Sequence, residues 1–244
     1  MFFHTHVYYS KRVNKNLGPL EVVGSFLPDL ALTGVITWDD LHKKKNILEF
    51  FDYVKKNNPE YESLLKGINY HNTLDYYTHV EYKNKTPGYA YVSIPTEMPF
   101  LLEKALGVTS QRAIASSHNC IEGGVEYHLL RDDPDLKELV KKSISQIDKE
   151  NLAKGFADFF KKDQAVMFKA MNKLFSFATD YDFETLEGWL KLWTDMNKFY
   201  LNKDTDPVLA TQAMEMSFKI TKDTYREFIE YAINSQDKEI RDAN

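Results

Sequence analysis

The segment Gly67-Ile68-Asn69-Tyr70-His71-Asn72-Thr73-Leu74-Asp75-Tyr76-Tyr77-Thr78-His79 sets a histidine, a carboxylate and a second histidine at steps of four. Residues four apart on an α-helix lie one turn above each other on the same face. The spacing therefore predicts a helix carrying His71, Asp75 and His79 in one polar stripe. Such a stripe is either a satisfied polar seam in a core or a set of metal ligands, and the rest of the chain has to decide.

Working outward, almost every segment reads as helix. Asn58-Pro59 offers a cap and a first-turn proline just upstream. Thr37, with Asp40 three residues on, opens a single long helix whose apolar stripe runs from Ile47 to Val54. Downstream, Thr96 opens a helix that Gly107 stops, and Thr109 or Ser110 opens the next, containing His118 and Glu122. Asp133-Pro134 starts another; further helical segments follow, ending in a long one from about Pro207 to Ala243. The one strand-like pattern is PGYAYVSIP, Pro87 to Pro95, read as a strand or an extended loop. Short connections suit helices packed as neighbours. The fold class is therefore all-α, a multi-helix bundle.

All seven histidines (His4, His6, His42, His71, His79, His118, His128) fall in roughly the first half. The chain divides functionally into residues 1–131, a metal-binding helical core, and residues 132–244, a helical extension packed on it in one compact domain. His118 and Glu122 repeat the four-residue step on a second helix, and Asp29 sits in an otherwise apolar run after Pro28. A buried carboxylate there is costly unless paired or metal-bound; Asp29 could instead cap a helix. His42 begins the next helix, and reads as a ligand or as a solvated residue. Neutral imidazoles and carboxylates suit zinc, and also manganese or iron. The inventory is large enough for two or three ions. Cys120 is the single cysteine, so no thiolate cluster competes and no intramolecular disulfide forms.

Other residues point elsewhere. His128 lies nearly opposite Glu122 and reads as structural; Glu126, one turn past Glu122, is placed to orient an imidazole N–H. The three tryptophans, Trp38, Trp189 and Trp193, mark no site, and the last two, four apart, read as core.

The order of these pieces resembles that of the zinc-dependent phospholipase C family, related at fold level to P1-type nucleases. The pieces are HTH at His4 to His6, GSFLPD at Gly24 to Asp29, His42, GINYHNTLDYYTH, and HNCIE at His118 to Glu122. The match covers residues 1 to about 130. The resemblance implies a phospholipase C/P1 nuclease type of bundle. It implies that Asp29, His42, His71 and Asp75 hold one metal, with Asp75 also bridging. His79, His118 and Glu122 would hold a second, and His6 would serve a third or bridging position. The activity implied is hydrolysis of a phosphodiester or phospholipid-like substrate by a metal-activated water, with Asp29 as ligand and proton acceptor.

Composition narrows the alternatives. The 244-residue chain carries a formal net charge of −5, which gives no global attraction for nucleic acid or an anionic membrane. No apolar run reaches the length of a membrane span. One cysteine and an N-terminus without a signal-peptide pattern point to the cytoplasm. G-x-S-x-G, Walker A and G-x-G-x-x-G motifs are missing. A metal phosphohydrolase of the HD type would need an adjacent His-Asp pair, which the chain lacks. The non-enzymatic alternative is a helical binding protein with a structural metal site.

Overall fold

The computed structural model describes residues 2–242, with side chains described for residues 2–235. Helices follow one another from the start: α1 (Phe3–Val13), α2 (Pro19–Gly24), a 3-10 helix (Leu27–Thr33), α3 (Trp38–His42) and α4 (Lys44–Asn57). A 3-10 turn (Pro59–Tyr61) leads into α5 (Glu62–His79), followed by α6 (Tyr89–Val92), α7 (Met98–Leu106) and α8 (Ser110–Asp132). The remainder is α9 (Asp135–Gln146), α10 (Lys149–Phe160), α11 (Gln164–Thr179), α12 (Leu186–Leu201), α13 (Pro207–Thr221) and α14 (Tyr225–Asp242). The fold is all-α. Among the described residues the only β pairing is an isolated bridge between Tyr82 and Lys85.

Several boundaries obey the local chemistry. Thr37 and Asp40 form a capping box, with the Asp40 carboxylate accepting the Thr37 N–H at 2.7 Å. Gly107 closes α7 at φ 61°, in the left-handed region. Thr109 caps α8 through its hydroxyl oxygen, which accepts from Arg112 N–H.

Three expectations are corrected. The helix expected from Thr37 onward is two helices, because Lys43 takes an extended backbone (φ −80°, ψ 125°) between α3 and α4. That break lets α3 pack on the 3-10 helix and bury Leu41 completely. PGYAYVSIP is neither strand nor extended loop: Gly88 starts the short helix α6, whose adjacent Tyr89 and Ala90 are both buried against the pattern of a strand. The last long helix is α13 and α14, separated by Lys222 to Thr224; its expected end at Ala243 lies outside the described residues.

The chain forms two compact units. The first comprises the N-terminal residues to Thr5, Leu74–Pro134 and the chain from Tyr181 onward; the second comprises His6–Thr73 and Asp135–Asp180. In the first unit α8 is the central element, packed by α7 and α13. Trp189 and Trp193 lie in its core, as their spacing implied. In the second unit Phe50 packs on Phe156, Phe159 and Phe160, with ring centroids 4.9, 5.1 and 5.8 Å away. Phe50 and Phe156 are fully buried, and each such burial contributes about 1.5–3 kcal/mol. Among the described residues no helix is long and apolar enough to cross a membrane.

Candidate metal centres

In the second unit, His6, Asp29 and His71 are buried and each offers a ligand atom within 4.8 Å of the others. Asp29 lies inside the 3-10 helix, where Phe26 occupies the N-cap and no side chain caps it. Asp29 is therefore not a cap, and Pro28 serves only to start the turn. The His6 and His71 rings stack, with centroids 3.7 Å apart and planes 17° from parallel.

His71 is held by a close helix crossing. A Cβ on Gly67 would lie 2.2 Å from the Glu21 carbonyl oxygen, and one on Gly24 would lie 2.2 Å from that of Leu64. Only glycine at both positions lets α2 approach α5 this nearly. The approach delivers the Ser25 carbonyl to His71, whose Nδ1 donates to it at 3.0 Å. His42 is arranged alike: its Nδ1 donates to the Trp38 carbonyl at 2.8 Å. A carbonyl only accepts, so Nδ1 of both rings carries the proton. In the neutral rings the lone pairs then sit on Nε2, and these two atoms face each other at 3.2 Å. Two lone pairs at that distance repel unless a cation or a proton lies between them. Two nitrogens on one tetrahedral zinc, at Zn–N distances of 2.0–2.1 Å, stand about 3.3 Å apart. Metal-ligating histidines characteristically give their other N–H to a carbonyl or carboxylate. The donor set thus fits a divalent metal.

In the first unit, His79, His118 and Glu122 form a second group within 4.8 Å. His79 Nε2 meets Glu122 Oε1 at 2.6 Å, and His118 Nε2 stands 3.8 Å from the same oxygen. Asp75 Oδ2 lies 3.7 Å from His79 Nδ1. The Nδ1 atom of His118 is buried with no hydrogen-bond partner. Burial lowers the His79 pKa, but the Asp75 and Glu122 carboxylates outweigh it and raise the net value above the ordinary one. Burial prevails at His118 and lowers its pKa. Glu122 is pushed up by burial, yet surrounding positive charge, including the bonded His79 ring, brings it down to about 2. Glu122 is thus held ionised, with its Oε1 on the His79 ring.

Sequence spacing brought four of these six residues, His71, His79, His118 and Glu122, to notice as helical pairs or stripes, and the structure gathers the six as two groups. His6 joins Asp29 and His71. His128 is structural, its Nε2 donating to the Phe218 carbonyl at 2.7 Å. Glu126 does orient an imidazole, that of His4, at 2.7 Å; it also accepts both the N–H and hydroxyl of Thr5 and the N–H of His4. The Ser25 and Trp38 carbonyls escaped the sequence, because backbone atoms carry no residue-type signal. Tyr91, whose ring lies 4.8 Å from that of His118, was hidden in the segment read as strand. Gly24 and Gly67 were visible as letters; their meeting was not. Comparison of the chain with family models, curated proteins and solved structures finds no match.

Proposed function

We propose that this chain is a metal-dependent phosphoesterase of the kind its sequence resembles, the zinc-dependent phospholipase C family, acting on a phosphodiester or phospholipid-like substrate. The observation that carries the reading is the facing pair of His42 and His71 Nε2 atoms at 3.2 Å, each ring's Nδ1–H tied to a carbonyl. Asp29 and His6 lie with His71 in one group, each offering a ligand atom within 4.8 Å of the others. His79, His118 and Glu122 would hold a second ion. Zinc is the first candidate, with manganese or iron as alternatives. When bound, such ions supply Lewis acidity and an acidified water.

The chain's own residues do the rest. Ser25 and Trp38 fix the tautomers and so aim both Nε2 atoms. Asp29, 4% exposed, is the carboxylate assigned to take a proton from the attacking water. The half-buried His42 gives the set its solvent-facing side. The single Cys120, buried, accords with a reducing, cytoplasmic setting.

One observation favours a second reading. His6, Asp29 and His71 offer donors within 4.8 Å of one another, and His42 Nε2 stands 3.2 Å from that of His71; a zinc closed by side chains alone, with no open position, would be structural. A proton shared between His42 and His71 would satisfy the pair without metal. Elemental analysis of protein purified without added metal, and after zinc exposure, separates these. Bound metal in wild type, lost from His71→Ala, together with turnover of a phosphodiester such as bis(p-nitrophenyl) phosphate, supports the enzyme. Metal without turnover supports the structural site. Protein that refuses zinc overturns both and leaves the shared proton.

A further inference from the structure

We infer that Trp38 is the positioning residue for His42 as a metal ligand, a role that rests on the metal reading above. His6, Asp29 and His71 are enclosed by packing, at 0%, 4% and 0% exposure, and need no further device to hold their side chains. His42 has no such enclosure. It ends the five-residue helix α3, and the extended Lys43 carries the chain away, so no following helical turn covers its ring.

Two separate contacts replace packing. The backbone of α3 is fastened to α5 by Asn72, whose Nδ2 donates to the Leu41 carbonyl at 3.1 Å. Trp38 holds the ring at two points. The Trp38 carbonyl receives Nδ1–H at 2.8 Å and fixes one ring atom. The Trp38 indole stacks on the imidazole, with centroids 4.2 Å apart and planes 11° from parallel, and so sets the ring plane. A hydrogen bond at one atom leaves rotation about that contact open; the stack removes it. Together they hold Nε2 at 3.2 Å from its counterpart on His71. Trp38 itself is 44% exposed, so the indole adds little to the core. A large aromatic left that exposed, flat against a ligand, is explained by the ring it holds. The sequence reading assigned Trp38 to no site.

The carbonyl belongs to the backbone and survives substitution, so a variant tests the stack. The measurement is zinc affinity by competition with a chromophoric chelator, beside thermal unfolding of the metal-free protein. Trp38→Leu is expected to weaken one zinc equivalent by about tenfold or more, the usual effect of losing a partner that orients a ligand. Its metal-free unfolding midpoint stays at the wild-type value, and Trp38→Phe, which keeps a flat ring, restores affinity to within about threefold of wild type. Unchanged affinity in Trp38→Leu overturns the role of Trp38 while leaving the metal reading intact. A weakened site accompanied by an equal fall in the metal-free midpoint marks a folding effect and also overturns it. Wild type that takes up no zinc overturns both.

Discussion

The two candidate centres solve the same chemical problem in opposite ways. In the second unit, backbone carbonyls take the outer N–H of His42 and His71, and the inner nitrogens face each other. In the first unit, His79 and Glu122 satisfy one another directly at 2.6 Å. The first arrangement leaves two facing nitrogens for a cation or a shared proton to bridge. The second is already satisfied by a short hydrogen bond, and a metal entering there must first displace the proton between His79 and Glu122. The contrast teaches that a shared set of ligand residue types does not imply equal readiness: the partners of the outer nitrogen decide it. Zinc should therefore fill the second-unit centre at lower concentration.

The strongest way to break this comparison is to remove the support beneath His71. Alanine is favoured over glycine in a helix by about 1 kcal/mol. At Gly67 the added carbon would lie 2.2 Å from a carbonyl oxygen, so α2 and α5 must separate. Gly67→Ala is expected to cost a net 3 kcal/mol or so in unfolding free energy, at the upper end of overpacking effects. Denaturant titration checks it; a variant as stable as wild type would show that the helix crossing tolerates a methyl group.

Next come the ligands themselves. His71→Ala should abolish the tighter zinc equivalent, weakening it about 100-fold or more, beyond the loss of an orienting partner. His118→Ala should remove only the weaker one. Calorimetric titration of both variants sharpens the ranking, and a reversed assignment would mean that the paired centre is the readier of the two.

The smallest effect concerns Glu126, in the first unit. Burial raises its carboxyl, while the His4 ring and the donors of His4 and Thr5 outweigh burial and leave its pKa below the usual Glu value. The sign follows from the lowered folded value. Its stabilisation is present above the ordinary pKa of about 4.3 and is lost as pH falls through the lower folded value. Glu126→Gln should cost about 1–2 kcal/mol near neutrality, where a charged acceptor is lost. It should also flatten the acid side of the stability profile. Unfolding followed from pH 7 downward gives both quantities, and an unaltered acid limb would exclude Glu126 as its source.

Much of this molecule was legible before its coordinates. The capping box at Thr37 and Asp40 and the stop at Gly107 are local devices whose residue types act on backbone atoms a few positions away. The steps of four at His71 to His79 and at His118 to Glu122 fall on α5 and α8 as read. The local signal failed at Lys43, where a run of helix-favouring lysines hid a break. It failed again at Tyr89 to Val92, where burial against α8 outweighed an alternating pattern.

By itself the sequence determined an all-helical chain and the residue types capable of holding a metal, because helix periodicity and capping are read within a few residues. Only the tertiary structure decided which of those residues meet. His6 joins Asp29 and His71 rather than standing apart, and His42 faces His71 across 29 positions of chain. It also decided how ready each centre is. Readiness depends on backbone carbonyls and on an approach between Gly24 and Gly67 that no spacing records, since contacts between distant segments are set by how whole helices pack.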